Sequence, residues 1–305
     1  MTYSYSPKRT DRQRVRYSHR LIIKMVLCLT LAISYAHSAM AQGSQKEDQG
    51  QTAAEVSKEA SNPLSSVWLM QMQQNSTWIG MPANGGNQVQ SNLQFQPLIS
   101  VKVSDDWSLI ARPVLQFVNS TPFQDQTGKS DRATGFGDTV LALAVSPSRK
   151  LVGNWLLAAG PTFIFPTATD PRIGQDKWQV GPAAAFGYSG KNFITYVFPQ
   201  QWFSVGDNGA RARHMLTYYA FVYAFSNGWS VGTNPAMSVD WDASSGNKVA
   251  FPVGLQVGKL RKLGILPVKF DAQVQYYAVR PEINGPKWNL QFQMTPIFPA
   301  LIGRK

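Results

Sequence analysis

Residues 88–103 read QVQSNLQFQPLISVKV. Val89, Leu93, Phe95, Ile99, Val101 and Val103 share one parity, while Gln88, Gln90, Asn92, Gln94, Gln96, Ser100 and Lys102 hold the other. Successive side chains of a strand point to opposite faces, so this segment has one apolar and one wet face. Ordinary strands run to about five or six residues. A tilted strand that crosses a bilayer needs about 9–11, and this stretch is long enough.

Units of the same kind recur about twelve times beyond residue 65. The expected strands are 67–79, 88–104, 107–119, 136–146, 153–165, 177–189, 193–205, 213–226, 229–241, 249–260, 266–279 and 287–298. Gaps after even strands are mostly brief: Asp105-Asp106, Gly190 to Asn192, Asn227-Gly228 and Arg261 to Ile265. Gaps after odd strands are longer: Gly80 to Asn87, Ser120 to Gly135, Pro166 to Asp176, Gly206 to Ala212, Asp242 to Lys248 and Arg280 to Pro286. Short turns on one rim and long loops on the other mark an outer-membrane barrel. Tryptophan repeats the division: Trp68, Trp107, Trp155 and Trp229 fall at an inner level, and Trp78, Trp178, Trp202, Trp241 and Trp288 at an outer one. Amphipathic indoles collect at the two membrane interfaces. The expected fold class is all-β, a transmembrane antiparallel up-and-down β-barrel of about 12 strands. A soluble sandwich or jelly roll also alternates, but gives no reason for two tryptophan levels.

The ends divide the chain into a signal peptide over 1–41, a polar periplasmic segment over 42–65 and a barrel over 66–305. Lys8, Arg9, Arg12, Arg14, Arg16, Arg20 and Lys24 form a basic region before the apolar run Met25 to Ala36, and Ala39-Met40-Ala41 supplies a small-x-small cleavage site. That run is too short for the ~20 residues of a membrane-spanning helix. The first 41 residues carry seven Lys/Arg against Asp11, so cleavage lowers the formal charge from +12 to +6. It also removes Cys28, the one cysteine, which leaves no disulfide and no zinc-thiolate site. No basic stripe points to nucleic acid. Mean hydropathy is −0.20, and alternating strands hide their hydrophobicity from such an average. Ala53 to Ala60 is the only stretch of 42–65 with helical character. A free periplasmic tail is the expectation there, because so short a helix is unstable alone. A helix tucked against the barrel is the alternative.

The wet parity defines the expected lumen. It holds Gln94, Gln96, Arg112, Gln116, Asp138, Asp240, Lys269, Asp271, Gln273, Gln275, Gln291 and Gln293, together with Gln90 and Lys102. A cation facing lipid at mid-bilayer costs about 2–4 kcal/mol, so the charges belong inside. Amides both donate and accept, so such a lumen holds water or binds polar groups on a small solute without strong ionic selection, or else is closed by side chains that satisfy one another. Arg112 with Asp138, and Lys269 with Asp271, would form either a constriction or structural ion pairs. The loop charges Asp125, Lys129, Asp131, Arg132, Asp170, Arg172, Asp176, Lys177, Asp207, Arg211, Arg280 and Lys287 are solvated or meet lipopolysaccharide phosphate.

Other motifs carry less. Gly135-Phe136-Gly137-Asp138 follows a loop and opens a strand, so it is a glycine turn and no phosphate cradle. His214, the sole histidine after cleavage, has no nucleophile signature beside it; a lipid-modifying enzyme using it is the least supported reading. No metal site, cofactor or catalytic residue is expected.

An ordered set of further motifs spans the chain from Asn62-Pro63-Leu64 onward. It includes Thr134 to Asp138, Gly160-Pro161, Phe165 to Thr169, Lys177-Trp178, Gly181-Pro182, Asn227 to Trp229, Asp240-Trp241, Pro252 to Gly254 and Gly258-Lys259. Tyr276-Tyr277, Arg280-Pro281, Pro286 to Trp288 and Phe298-Pro299 complete it. In this order the chain resembles the bacterial outer-membrane family labelled "putative meta-pathway of phenol degradation". The resemblance implies an outer-membrane barrel that passes small aromatic or hydrophobic compounds, and it supplies no catalytic residues. The expected partners are outer-membrane lipid and lipopolysaccharide, the barrel-assembly machinery and a small-molecule solute. A structural or surface-interaction barrel with a plugged lumen is the alternative function.

Overall fold

The computed structural model describes residues 52–81, 86–124, 130–206 and 212–299. The expected signal peptide and the loop charges Asp125, Lys129, Asp207 and Arg211 lie outside the described residues. The chain opens with a helix, α1 (Ala53–Glu59). Strands β1 (Trp68–Met81), β2 (Gly86–Lys102), β3 (Trp107–Gln124), β4 (Ser130–Phe136) and β5 (Thr139–Pro147) follow. A one-turn helix, α2 (Arg149–Val152), leads to β6 (Trp155–Phe165), β7 (Gln179–Ser189), β8 (Phe193–Ser204) and β9 (Arg213–Ala224). The last strands are β10 (Trp229–Thr233), β11 (Ala236–Asp240), β12 (Val249–Leu263), β13 (Leu266–Val279) and β14 (Pro286–Phe298).

These form one 14-stranded antiparallel sheet, and β1 pairs with β14, which closes it. Closure leaves no open edge, the condition a sheet must meet in hydrocarbon. Two staves are broken. β4 and β5 pair successive lengths of β3, and β10 and β11 pair successive lengths of β9. Fourteen segments, two pairs of which share a stave, give twelve staves. The breaks fall at Gly137-Asp138 and Asn234-Pro235, inside the expected strands 136–146 and 229–241. Glycine and proline interrupt a ladder because one lacks a packing side chain and the other lacks an N–H.

Register fixes which face each residue takes. Met72 lies opposite Phe95 and Met294, whereas Gln73 lies opposite Gln94 and Gln293. The apolar parity faces outward: Phe186, Val197, Phe221, Leu255, Val274 and Phe292 are all exposed. Exposed apolar surface costs roughly 25 cal/mol per Å² in water, so a belt of this kind requires lipid. Among the described residues no helix is long and apolar enough to cross a membrane. The strands supply the crossing.

Tryptophan follows the expected belts with one correction. Trp107, Trp155, Trp178, Trp229, Trp241 and Trp288 are exposed. Trp202 instead turns inward, is 2% exposed, and donates to Thr162 Oγ1 at 3.1 Å. Its place near the strand end is legible in the sequence. Its face is not, because apolar residues occupy both parities of β8.

The free tail expected before the barrel is also corrected for residues 53–66. Thr52 and Glu55 form a capping box that closes the N-terminus of α1. The helix then buries Ala54, Ser57, Lys58 and Ala60. Tertiary packing stabilises a seven-residue helix that would be unstable alone.

A two-sided lumen closed at one end

The expected amides do face inward, on one side of the barrel. Strands β3, β2, β1, β14, β13 and β12 stack them in rungs. One rung runs Gln116, Gln94, Gln73, Gln293, Asp271. The next runs Asn92, Asn75, Gln291, Gln273, Gln256, and a third Gln90, Thr77, Asn289, Gln275. Neighbours satisfy one another: Asn75 Nδ2 donates to Asn92 Oδ1 at 3.1 Å and Gln275 Nε2 to Gln291 Oε1 at 3.1 Å. Gln273 is 1% exposed, and neither of its amide atoms finds a partner among the described residues.

The other side of the lumen is apolar, which the sequence reading did not anticipate. Ala142 and Ala144 of β5, Leu156 and Ala158 of β6, and Ala183 and Ala185 of β7 form one cluster. Ile194, Tyr196 and Phe198 of β8 and Ala220 and Val222 of β9 continue it. Small side chains let the staves pack closely; a Cβ on Gly160 would sit 2.1 Å from the Leu143 carbonyl oxygen. The expected Gln-rich lumen is thus amide-lined on one wall and alanine- and aromatic-lined on the other.

Arg112 joins the two. It donates to Gln96 Oε1 on the amide side. Its guanidinium lies 4.5 Å from the ring centre of Tyr218 and 5.9 Å from that of Phe198. A cation over an aromatic face is attracted by the ring quadrupole. Among the described residues no carboxylate pairs with Arg112. A cavity of about 420 Å³ surrounds this bridge. Arg112, Gln94, Asp271, Gln275, Gln291 and Gln293 from the expected set line it, with Tyr196, Phe198, Tyr218 and Asn234 from the other side.

The remaining expected residues divide. Gln96 and Gln273 are buried in the amide wall, and Gln116 stands beside Gln94. Lys269 and Asp271 form a buried ion pair, Nζ to Oδ1 3.1 Å, which Gln256 Nε2 supports from 2.6 Å. Asp138 does not meet Arg112. At the β4–β5 break it accepts from the backbone N–H groups of Ala168 at 3.2 Å and Gln175 at 2.7 Å, pinning the loop 166–178. Asp240 is exposed at the end of β11 opposite His214 and accepts from Asp242 N. His214 lies with its ring centre 5.2 Å from that of Trp202, and among the described residues no serine or threonine hydroxyl bonds to it. Gln73, Asn75 and Thr77 also face the lumen; they sit in the run Gln73 to Thr77, which is polar on both parities, so the sequence does not mark their face. Tyr196, Phe198 and Tyr218 could not be chosen, because β8 and β9 are apolar on both faces.

The helix α1 closes the end of the lumen that carries the short turns. Lys58 Nζ donates to the carbonyl of Gly190 at 2.6 Å and of Lys191 at 3.3 Å, in the β7–β8 turn. Burial, with Arg149 nearby, pushes the Lys58 ammonium below the usual lysine value. Val56, Ala60, Leu64 and Val67 pack on Leu69, Leu98, Ile110, Leu260 and Ile297. Ser61 Oγ accepts from Lys269 Nζ at 2.6 Å, and Ala60, Ser61, Asn62 and Pro63 floor the cavity.

Fold and surface define a class: a closed antiparallel β-barrel of the outer membrane. Residues 70–234 match the model of the family described as "Putative MetA-pathway of phenol degradation", and the chain belongs to that family. Comparison with curated proteins finds no match. Among solved structures, an outer membrane channel from Pseudomonas putida F1 is similar at 14% identity and TM-score 0.56, over 76% of this chain and 95% of that one. The translocator domain of the autotransporter NalP from Neisseria meningitidis is similar at 11% identity and TM-score 0.44, over 88% and 97%. A Pseudomonas aeruginosa FadL homologue is similar at 9% identity and TM-score 0.38, over 79% and 93%. The first likeness supports the fold; the other two are too distant to carry an argument.

Proposed function

We propose that this barrel is a channel for small amphipathic solutes, aromatic rings bearing a hydroxyl or similar polar group. The observation that carries the reading is the two-sided lumen. A ring can lie against Phe198 and Tyr218 while its polar edge meets the amide rungs, and Arg112 touches both walls. A purely polar lumen would favour sugars or ions, and a purely apolar one would hold no water. The family description, phenol degradation, agrees with this chemistry. Export by the N-terminal signal peptide, insertion by the barrel-assembly machinery and contact of the loop charges with lipopolysaccharide belong to the same proposal. No bond chemistry is assigned to the site.

The docked helix favours a second reading, a plugged structural barrel. Uptake separates the two. Cells lacking the native gene, with and without the plasmid-borne protein, are given 1-naphthol and its entry is followed by fluorescence. Protein-dependent entry whose rate changes on Arg112→Ala supports the channel; entry equal in cells with and without the protein removes it.

A further inference from the structure

The lipid-facing side of the barrel carries a groove near the rim of short turns. Two outward rungs frame it. One runs Phe292, Ala272, Val257, Val231 across β14, β13, β12 and β10. The next, nearer the short turns, runs Met294, Phe270, Lys259, Trp229. Ala272 is the smallest side chain of the two rungs. Its neighbours Phe270, Phe292 and Val257 all stand exposed around it. The dent is a groove of about 480 Å³, walled by Met72, Trp229, Phe270, Phe292 and Met294.

Lys259 closes the rim end of this groove. It is a cation on the lipid-facing parity of β12, where charge is costly unless it reaches the headgroups. Its ammonium lies at that level: Nζ is 4.7 Å from the ring centre of Trp229, an inner-level tryptophan, and donates to the Asn227 carbonyl at 2.9 Å. A lysine ammonium has three N–H groups, so that bond leaves two for a partner. Arg261 stands two residues further along the same face, about 7 Å nearer the rim at the usual rise of a strand. It is exposed, with no ion pair or side-chain hydrogen bond among the described residues. The segments that meet at this corner, 225–232, 257–268 and 292–299, hold three basic residues and no acid.

We infer that this corner binds one anionic phospholipid of the inner leaflet, its phosphate between Lys259 and Arg261 and one acyl chain in the groove over Ala272. Short turns mark the periplasmic rim of such barrels, so the leaflet here is phospholipid and not lipopolysaccharide. Clustered Lys and Arg at a membrane surface attract anionic lipid, and both side chains bind phosphate. Two cations with no acid beside them favour a headgroup of net negative charge over a zwitterionic one, whose ammonium they repel. The groove adds shape and no hydrophobic drive. Lipid tails are as apolar as its walls, so a chain gains there only by closer packing. Headgroup charge therefore selects the lipid, and the groove orders one of its chains. The inference is independent of what passes through the lumen.

The test is native mass spectrometry of the purified barrel, loaded in detergent with phosphatidylglycerol or phosphatidylcholine at equal concentration. The parent is expected to retain one phosphatidylglycerol about tenfold more often than one phosphatidylcholine, the scale of two cations at a membrane surface. Lys259→Gln with Arg261→Gln is expected to abolish that preference. Lys191 and Lys262 are exposed on the same rim, and Lys262 has the opposite parity to Lys259. Lys191→Gln with Lys262→Gln removes as much charge away from the groove and is expected to keep the preference. Ala272→Trp fills the groove from the lipid-facing side and is expected to weaken retention of both lipids. Heat-modifiable gel migration checks that each variant is folded. A parent that does not discriminate, an equal loss in the two double variants, or an Ala272→Trp barrel that retains lipid as the parent does overturns the site.

Discussion

The guanidinium of Arg112 lies 4.5 Å from the ring centre of Tyr218, reaching from the β3 side of the lumen to the β9 side. This contact, with the bond to Gln96, joins an amide wall to an aromatic wall. Arg112→Met removes the cation and its bond to Gln96 but keeps a slim apolar stem. The expected results are larger single-channel conductance in planar bilayers and a barrel less stable by about 1 kcal/mol, the scale of one partly buried cation–π contact. Unchanged conductance would mean that Arg112 does not set the constriction.

The buried ion pair of β13 gives an asymmetric prediction. Lys269 and Asp271 are 1% and 5% exposed at their side chains. Removing one partner strands the other charge, whereas removing both does not. Lys269→Met is expected to cost about 3–5 kcal/mol and Lys269→Met with Asp271→Leu far less. Urea unfolding in detergent, followed by tryptophan fluorescence, measures both. A double variant no more stable than the single one contradicts the ranking.

The plug can be displaced without touching the wall. Ala60 is 1% exposed and packs against Leu69, Leu98, Ile110 and Ile297. Ala60→Arg places a charge there, which strongly disfavours the docked helix. Frequent channel openings are expected where the parent is mostly closed, with heat-modifiable gel migration of the barrel preserved. A variant as quiet as the parent would show that α1 does not limit conductance.

How legible these features were depends on what repeats. The stave count, the loop asymmetry and the inward amides follow from period-two alternation, which β2 and β13 display on opposite parities of polarity. The apolar wall broke that code. In β8, Ile194 and Phe198 face inward while Phe193 and Val197 face lipid, so both parities are greasy and neither announces the lumen. Arg112 was legible as an inward cation; its partners were not, since Tyr218 is over a hundred residues away and joins it only through closure. The role of Asp138 is hidden in the sequence because nothing there separates Gly137-Asp138 from the strand that follows, whereas the ladder breaks at this point and Asp138 anchors loop 166–178. The docked helix was readable as a helix, and its packing depended on a mouth that the sequence does not draw.

The long loop after β6 supplies a pH prediction. Arg172 Nε donates to Asp170 Oδ1 at 2.7 Å, and its guanidinium lies 4.3 Å from the ring centre of Phe123. That side-chain bond holds the Asp170 carboxyl below its usual value. The sign follows from linkage: a carboxyl depressed in the ordered loop favours that order above its usual value and loses the contribution as pH falls through the depressed one. Order in this loop is therefore expected to be flat between pH 8 and 5 and to weaken only below the ordinary aspartate range. The effect is small, because exposed pairs contribute little and salt screens them. Limited proteolysis within 166–178 by an acid-stable protease, run across that range, reads it. Asp170→Asn should be cut faster at neutral pH and show no further rise in acid, and cleavage that accelerates already near pH 6 would assign the loop's order to some other group.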